Sequence, residues 1–365
     1  MTTGAASPAA AAVVFPWLLR PAPPQDIIGS GQRKQMAHAL RPVPQNLHQL
    51  LPLLTDTHAH TAGYGDEARA SFANDTRQNS ARIPDLNAKE YVVVSVDPSD
   101  WKYCDEEKCP KPTGQGVSAV RPAAGIHPQC ADEIDNPDPS PSDNAWLSDL
   151  RSHLIASPWS LVGECGLDNN GPYRHAFDSH QMPIFRHHLR LAAELNRPIS
   201  VHSVKADGAL VDMLIEEVDM GHHLPPTVCL HSFSGSIETL KRVINIVEGR
   251  PRNKKERLRR GSSDGTNEDN VRVFVGFNAW TNLYKKQASR LVNGLVKDTP
   301  MGEYRLLIES DWNPIDFDFE GSDRRDSDKI LMNGLIDLSE MLGWEPERTA
   351  KVLADNTVRF LKPVE

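Results

Sequence analysis

The sequence predicts an α/β chain folded as a (β/α)8 barrel, on three observations. Short apolar, β-branched segments recur eight times between residues 50 and 311, and most are separated by stretches of helical periodicity. The segments are apolar on both faces, as strands of a sheet covered on both sides must be. Histidines and carboxylates gather at the carboxyl ends of these segments, the edge on which such a barrel builds its active site.

Taken in order, strands are expected at 50–58, 90–97, 119–127, 161–167, 198–203, 227–233, 271–277 and 304–311. Helices are expected at 144–156, 175–196, 207–219, 236–248, 286–297, 327–342 and 346–361. The longest, 175–196, carries Phe177, Met182, Phe185, Leu189, Ala192, Ala193 and Leu195 at helical spacing, and Pro198 stops it before the next strand. The first two connections, 61–89 and 98–118, have little helical periodicity and read as long loops. A length of 365 residues suits one large barrel, here assigned to 50–365. Residues 1–49 contain a single acidic residue, Asp26, among many Ala and Pro, and read as a disordered or loosely attached N-terminal segment. The apolar stretch Ala9–Leu19 lacks the basic flank of a secretory signal, whereas an Arg-bearing, acid-poor segment is compatible with a mitochondrial address.

Composition narrows the function classes. The formal charge of −9 argues against a surface that coats nucleic acid generally, while leaving room for a local cationic site. Five cysteines, odd in number and scattered, fit a reducing cytoplasmic or nuclear compartment better than a disulfide framework. No apolar run reaches the roughly 18 residues of a membrane span, so no membrane partner is expected.

The strand ends carry the chemistry. In Asp56-Thr57-His58-Ala59-His60, alternation puts Asp56, His58 and His60 on one strand face, where two imidazoles can reach a single metal ion. Later strand ends supply His127 in Gly125-Ile-His-Pro128, Glu164 in Gly163-Glu-Cys-Gly-Leu-Asp168, His202, His231, and Asp311 in Glu309-Ser-Asp311. Five histidines converging with two carboxylates on one barrel mouth point to a metal centre rather than to packing.

These motifs resemble, in order, the signatures of the TatD-like metal-dependent hydrolases. Gln181-x3-Phe185-x2-His188-Leu189 and the closing Asp355-Asn-Thr-x-Arg359-Phe360 are similar as well, so the resemblance covers about residues 54–361. It implies a TIM barrel of the amidohydrolase type and a two-metal phosphodiesterase site. By motif, His58, His60 and Asp311 would hold the first ion, Glu164 would bridge, and His202 and His231 would complete the second. A bridging carboxylate offers two oxygens, and Asp311 is the candidate general base. The cofactors implied are two divalent ions, with four imidazoles favouring Zn or Mn over Mg. Asp56 reads either as the group that orients a ligand or as a strand-end hydrogen-bonding residue. His127 reads as a phosphate contact or a loop hydrogen bond, and Lys205 as a phosphate contact or a solvated helix start. Ser234 precedes a helix whose amides suit an anion.

Several segments depart from the family. The insert 249–270 opens with seven positive charges between Arg250 and Arg260, and it joins a helix to a strand, which places it opposite the catalytic mouth. It reads as a nuclear-localisation or partner-binding tract, or as a solvated loop. The inserts 61–89, 98–118 and 129–143 and the acidic segment 312–326 follow strands and belong to the active-site side. Three functions follow from this reading. The first is a deoxyribonuclease acting on DNA or another phosphoester. The second is a hydrolase of another ester or amide, such as aminoacyl-tRNA. The third is an adaptor that binds a protein partner through its inserts, since the family's fungal branch is associated by name with the anaphase-promoting complex.

Overall fold

The computed structural model describes residues 40–60, 88–103, 119–138, 145–249, 268–311 and 325–362. Its strands are β1 (Thr55–His60), β2 (Glu90–Val94), β3 (Ala119–Ala124), β4 (Leu161–Asp168), β5 (Ile199–Val204), β6 (Val228–Leu230), β7 (Val273–Phe277) and β8 (Leu306–Ile308). They pair in sequence order in one eight-stranded parallel sheet. The sheet nearly closes on itself. The Thr57 hydroxyl donates to the Ile308 carbonyl at 2.9 Å, and the Asp311 amide donates to the His58 carbonyl at 2.9 Å. The expected (β/α)8 barrel is the fold found.

The helices are α1 (Ala145–Ala156), α2 (Met182–Glu194), α3 (Asp207–Asp219), α4 (Ile237–Val247), α5 (Ala288–Asp298), α6 (Arg325–Leu342) and α7 (Pro346–Leu361). Local chemistry explains their ends. Ser236 caps α4 by accepting the Thr239 amide at 3.0 Å. Ile237, Leu240, Val243, Ile244 and Val247 recur at helical spacing and are buried on the sheet, and Gly249 leaves the helix at φ +63°. α7 starts on Pro346, whose missing N–H costs nothing in a first turn. Among the described residues no helix is long and apolar enough to cross a membrane.

Two elements differ from expectation. The apolar run beginning at residue 50 belongs to a 3-10 helix, Gln45–Leu53, and the strand starts only at Thr55. Pro52 cannot donate to a sheet ladder, and Leu47, Leu50 and Leu51 bury one helical face instead. The single helix expected over 175–196 is composite, with a 3-10 turn Gly171–Ala176 and a π turn Phe177–Gln181 leading into α2. The π turn places Gln181 in the interior, where its Oε1 accepts the Asp168 amide at 2.7 Å and its Nε2 donates to the Asp168 carbonyl at 3.0 Å. β6 and β8 are also shorter than expected, with Ser232 and Asp311 turning the chain beyond their ends at φ of +42° and +51°.

At the opposite, amino-terminal side, buried Arg305 pairs with Glu248 at 2.5 Å and donates to the Val273 and Pro300 carbonyls. Arg272 donates to the carbonyls of Leu224, Pro225, Pro226 and Val247. These contacts hold the two flanks of the basic tract, Glu248 and Arg272, at the amino ends of the strands. The tract itself lies outside the described residues, as do 61–87, 104–118 and most of 312–326. Residues 40–49, assigned from sequence to a loose N-terminal segment, pack on the barrel in part: Leu47 is buried and Arg41 pairs with Asp337 and Glu340.

On α2, His188 is fully buried between two backbone groups. Its Nδ1 donates to the Ile184 carbonyl at 2.8 Å and its Nε2 accepts the Ile126 amide at 3.2 Å. Burial pushes its pKa down to about 4. Because the unfolded imidazole titrates near 6.5, the unfolded chain binds more protons between the two values, and stability declines as pH falls through that window. Between pH 7 and pH 5 this one residue removes about 2 kcal/mol. Denaturant unfolding of His188→Gln at both pH values should show the pH-dependent difference reduced by about that amount, whatever the variant's stability at pH 7. An unchanged difference would refute the assignment.

Candidate metal centre

The site is built around one carboxylate. Glu164 is fully buried on β4, between Gly163 at φ +142° and Gly166 at φ +147°. Both are backbone conformations that favour glycine, and a Cβ on Gly166 would stand 2.0 Å from the His202 carbonyl oxygen. The motif glycines therefore let β4 approach β5 closely at the level of Glu164. The β4–β5 register slips between Val162 and Cys165, at Glu164, and the β1–β2 register slips between Asp56 and Ala59, at His58. Such irregularities re-aim side chains next to active sites.

The two oxygens of Glu164 face different groups. Oε2 lies 3.0 Å from His58 Nε2 and 3.7 Å from His60 Nε2. Oε1 lies 2.8 Å from His202 Nδ1, 3.4 Å from His127 Nε2 and 3.8 Å from His231 Nε2. Asp311 Oδ1 stands 3.3 Å from His60 Nε2 and 3.7 Å from His231 Nε2. The rings of His58 and His231 stack with centroids 3.5 Å apart. Among the described residues three sets of donor atoms lie within 4.8 Å of one another: His58 with His60 and Glu164, His127 with Glu164 and His202, and His58 with His231 and Glu309. The first two share Glu164.

The remaining nitrogens are backed by polar groups. His58 Nδ1 is 3.1 Å from the Ser200 hydroxyl, His231 Nδ1 is 3.0 Å from Glu309 Oε1, and His202 Nε2 is 3.6 Å from Asp168 Oδ2. Asp168 is itself held by Gln129 Nε2 at 2.9 Å and by the Asn170 amide at 2.8 Å. The Glu309 Oε1 accepts the Ser232 amide at 2.6 Å and the Ser232 hydroxyl at 3.0 Å. Outer-shell partners of this kind fix ring orientation and ligand basicity in metal sites.

Electrostatics reflect the crowding. Burial opposes charge throughout, yet the surrounding carboxylates outweigh it at His202, whose pKa rises to about 9 beside Asp168 and Glu164, and at His231, which rises to about 10 beside Glu309, Asp311 and Glu164. At His58 and His127 burial prevails and the pKa falls. The same burial is overcome at Glu164, which the charges of His127, His58 and His231 hold well below the usual carboxylate range, and at Asp311, lowered by His231 and His60. Buried His60 Nδ1, His202 Nε2 and Glu309 Oε2 lack a hydrogen-bond partner among the described residues. A buried, carboxylate-centred cluster of imidazoles with unmatched polar atoms is the donor chemistry that a divalent cation satisfies, displacing the histidine protons as it binds.

Of the residues singled out by sequence, His58, His60, His127, Glu164, His202, His231 and Asp311 meet at the mouth. Asp56 makes strand-end hydrogen bonds, one of the two roles expected of it. Its Oδ1 accepts the amides of His58 at 3.2 Å and Ser310 at 2.9 Å, and burial pushes its pKa up to about 7 despite those bonds. Lys205 donates to Asn170 Oδ1 at 2.6 Å, and Ser234 lies two residues before the α4 cap on a half-buried loop. The supporting carboxylates Glu309 and Asp168 received no role from sequence. The signal was in the motifs, since each closes or opens one that also contains a site residue, Glu164 or Asp311.

Comparison with known proteins agrees with this geometry. The family model described as TatD related DNase matches residues 55–362. Cut9-interacting protein scn1 of Schizosaccharomyces pombe is 24% identical over 363 residues, covering 79% of this chain and 96% of its own. An uncharacterized deoxyribonuclease of Saccharomyces cerevisiae is 31% identical over 173 residues, covering 43% of this chain and 46% of its own. The crystal structure of YJJV, a TatD homologue from Escherichia coli, superposes with a TM-score of 0.57 at 18% identity, covering 85% of this chain and 98% of that one. With the family match spanning nearly every described element of the barrel and its histidine- and carboxylate-lined mouth, the chain belongs to the TatD related DNase family.

Proposed function

We propose that this hydrolase cleaves phosphodiester bonds in DNA with the help of two divalent cations, Zn, Mn or Mg. The observation that carries the reading is the two-sided environment of Glu164, with His58 and His60 toward one oxygen and His202, His127 and His231 toward the other. His58, His60 and Asp311 would hold one ion, His202 and His231 the other, and Glu164 both. When bound, such a pair lowers the pKa of an attacking water and neutralises charge on the phosphoryl group.

The chain supplies the rest. Asp311, held ionised by His231 and His60, accepts the proton of the attacking water. His127 keeps Nδ1 as an acceptor for the Gln129 amide at 3.2 Å, which leaves Nε2 to carry the proton and donate to a phosphate oxygen. Lys205, exposed at the end of β5, offers its ammonium to the next phosphate along the strand. Asp168 and Glu309 keep the His202 and His231 rings turned toward Glu164. The name of the yeast relative, a deoxyribonuclease, supports DNA as the substrate. Similarity to a Cut9-interacting protein along 96% of that protein's length supports a second role in binding a protein partner.

The test is metal content followed by substrate profiling. Purified protein should carry or bind about two Zn or Mn ions per chain and then hydrolyse single-stranded DNA and bis-p-nitrophenyl phosphate. A protein that binds no divalent ion, or that cleaves aminoacyl-tRNA but neither phosphodiester, would overturn the proposal.

A further inference from the structure

The backbone conformation of Asp311 needs support that its own motif does not supply. Its φ of +51° lies in the left-handed region, which a non-glycine residue keeps only when its surroundings impose it. The two peptides leading into it are held on both sides. On the inner side the Ser310 amide donates to Asp56 Oδ1 at 2.9 Å, and the Asp311 amide donates to the His58 carbonyl at 2.9 Å. On the outer side the Ser310 carbonyl accepts two short hydrogen bonds, from Asn278 Nδ2 and from Trp280 Nε1, each at 2.6 Å.

Both outer donors come from the loop after β7. Asn278 Oδ1 accepts the Trp280 amide at 2.9 Å, and the Asn278 amide donates to Asn282 Oδ1 at 2.8 Å, so the two donors form one braced unit. Trp280 is 5% exposed and packs in a small apolar cluster with Ala279 and Ile330, against which Leu40 is laid. The next residue anchors that cover. The Arg41 amide donates to Asn333 Oδ1 at 2.8 Å, Asn333 Nδ2 donates back to the Arg41 carbonyl at 3.1 Å, and the guanidinium pairs with Asp337 and with Glu340. A chain of contacts therefore runs from residues 40–41, ahead of the barrel, through an indole N–H to the peptide that aims Asp311.

We infer that Trp280 is a positioning residue for Asp311 and that Leu40 and Arg41, by docking on α6, hold its indole in place. The inference rests on the reading of Asp311 as a ligand of one ion and acceptor of the water's proton. Without the indole N–H, the Ser310 carbonyl keeps one of its two outer donors and the left-handed turn relaxes. The Asp311 carboxylate then moves relative to His60 and His231, whereas the ion pairs of His202 among the described residues are with Glu164 and Asp168.

Trp280→Phe tests this in the full chain, because it keeps most of the apolar ring and removes the N–H. Zinc affinity, measured by competition with a chromophoric chelator, should fall about tenfold for one of two ions and stay within about twofold for the other. On bis-p-nitrophenyl phosphate, kcat should fall about tenfold with KM nearly unchanged. Leu40→Ala, which removes only the cover, should shift the same quantities in the same direction by about threefold, and it serves if Trp280→Phe does not fold. Asp311→Asn is run alongside. If Asp311→Asn binds zinc and turns over like the native chain, the reading of Asp311 itself fails. If Asp311→Asn is impaired while Trp280→Phe and Leu40→Ala bind both ions normally, or lose both equally, the role given to Trp280 is wrong.

Discussion

Replacing Glu164 with alanine is expected to lower hydrolysis by on the order of 10³-fold or more and to empty both halves of the metal centre. Loss of an outer-shell partner costs a metal site roughly 10–100-fold, and a carboxylate shared by two donor sets must exceed that. Its two oxygens lie 3.0 Å from His58 Nε2 and 2.8 Å from His202 Nδ1, so neither half of the site retains its shared anion. Glu164→Gln separates charge from shape: the amide keeps the volume but adds a donor among imidazoles, and it should fail nearly as completely. Metal analysis after dialysis, with turnover of bis-p-nitrophenyl phosphate, reads both effects. Native metal content in Glu164→Ala, or activity within about tenfold of the native chain, would rule out a shared carboxylate.

Asp311→Asn is expected to cost about 10²–10⁴-fold in kcat, the usual range for a lost general base. Its metal signature should differ from that of Glu164→Ala. Asp311 pairs with His60 and His231, while the ion pairs of His202 among the described residues are with Glu164 and Asp168. One ion should therefore weaken while the other is retained. Because the carboxylate is held ionised by its neighbours, native activity should persist well into the acid range before this residue limits it, and the asparagine variant should lose that acid limb. Loss of both ions in Asp311→Asn would instead mean that the two halves of the site fold as one unit.

Much of this molecule can be read before any coordinates. The apolar segments at 161–167 and 198–203 coincide closely with β4 and β5, because buried parallel strands advertise themselves as short β-branched runs. Strand ends are less legible. At β6 and β8 the ladder stops early since Ser232 and Asp311 take left-handed conformations that no propensity indicates. At residues 50–53 the apolar run reads as strand but is helical, and the proline within it gives the reason. In the site, the ligand-type residues stood out by kind and position. Glu309 did not, although it lies two residues from Asp311. It fits beneath His231 only because Gly276 opposite has no side chain: a Cβ there would stand 2.0 Å from Glu309 Oε2.

The sequence by itself determined the barrel, the strand ends that carry histidine and carboxylate, and through their order the TatD resemblance. These are consequences of local periodicity and residue type, which survive without knowledge of neighbours. Only the tertiary structure decided which groups meet: that Glu164 turns one oxygen to each histidine set, that Asp56 accepts the His58 and Ser310 amides, and that Trp280, against whose cluster Leu40 packs, reaches the Asp311 turn. Those relations depend on a register slip within β4–β5, on closure of β8 against β1, and on a segment ahead of the first strand docking onto α6. Each joins residues far apart in the chain, at ångström distances that local sequence pattern does not encode.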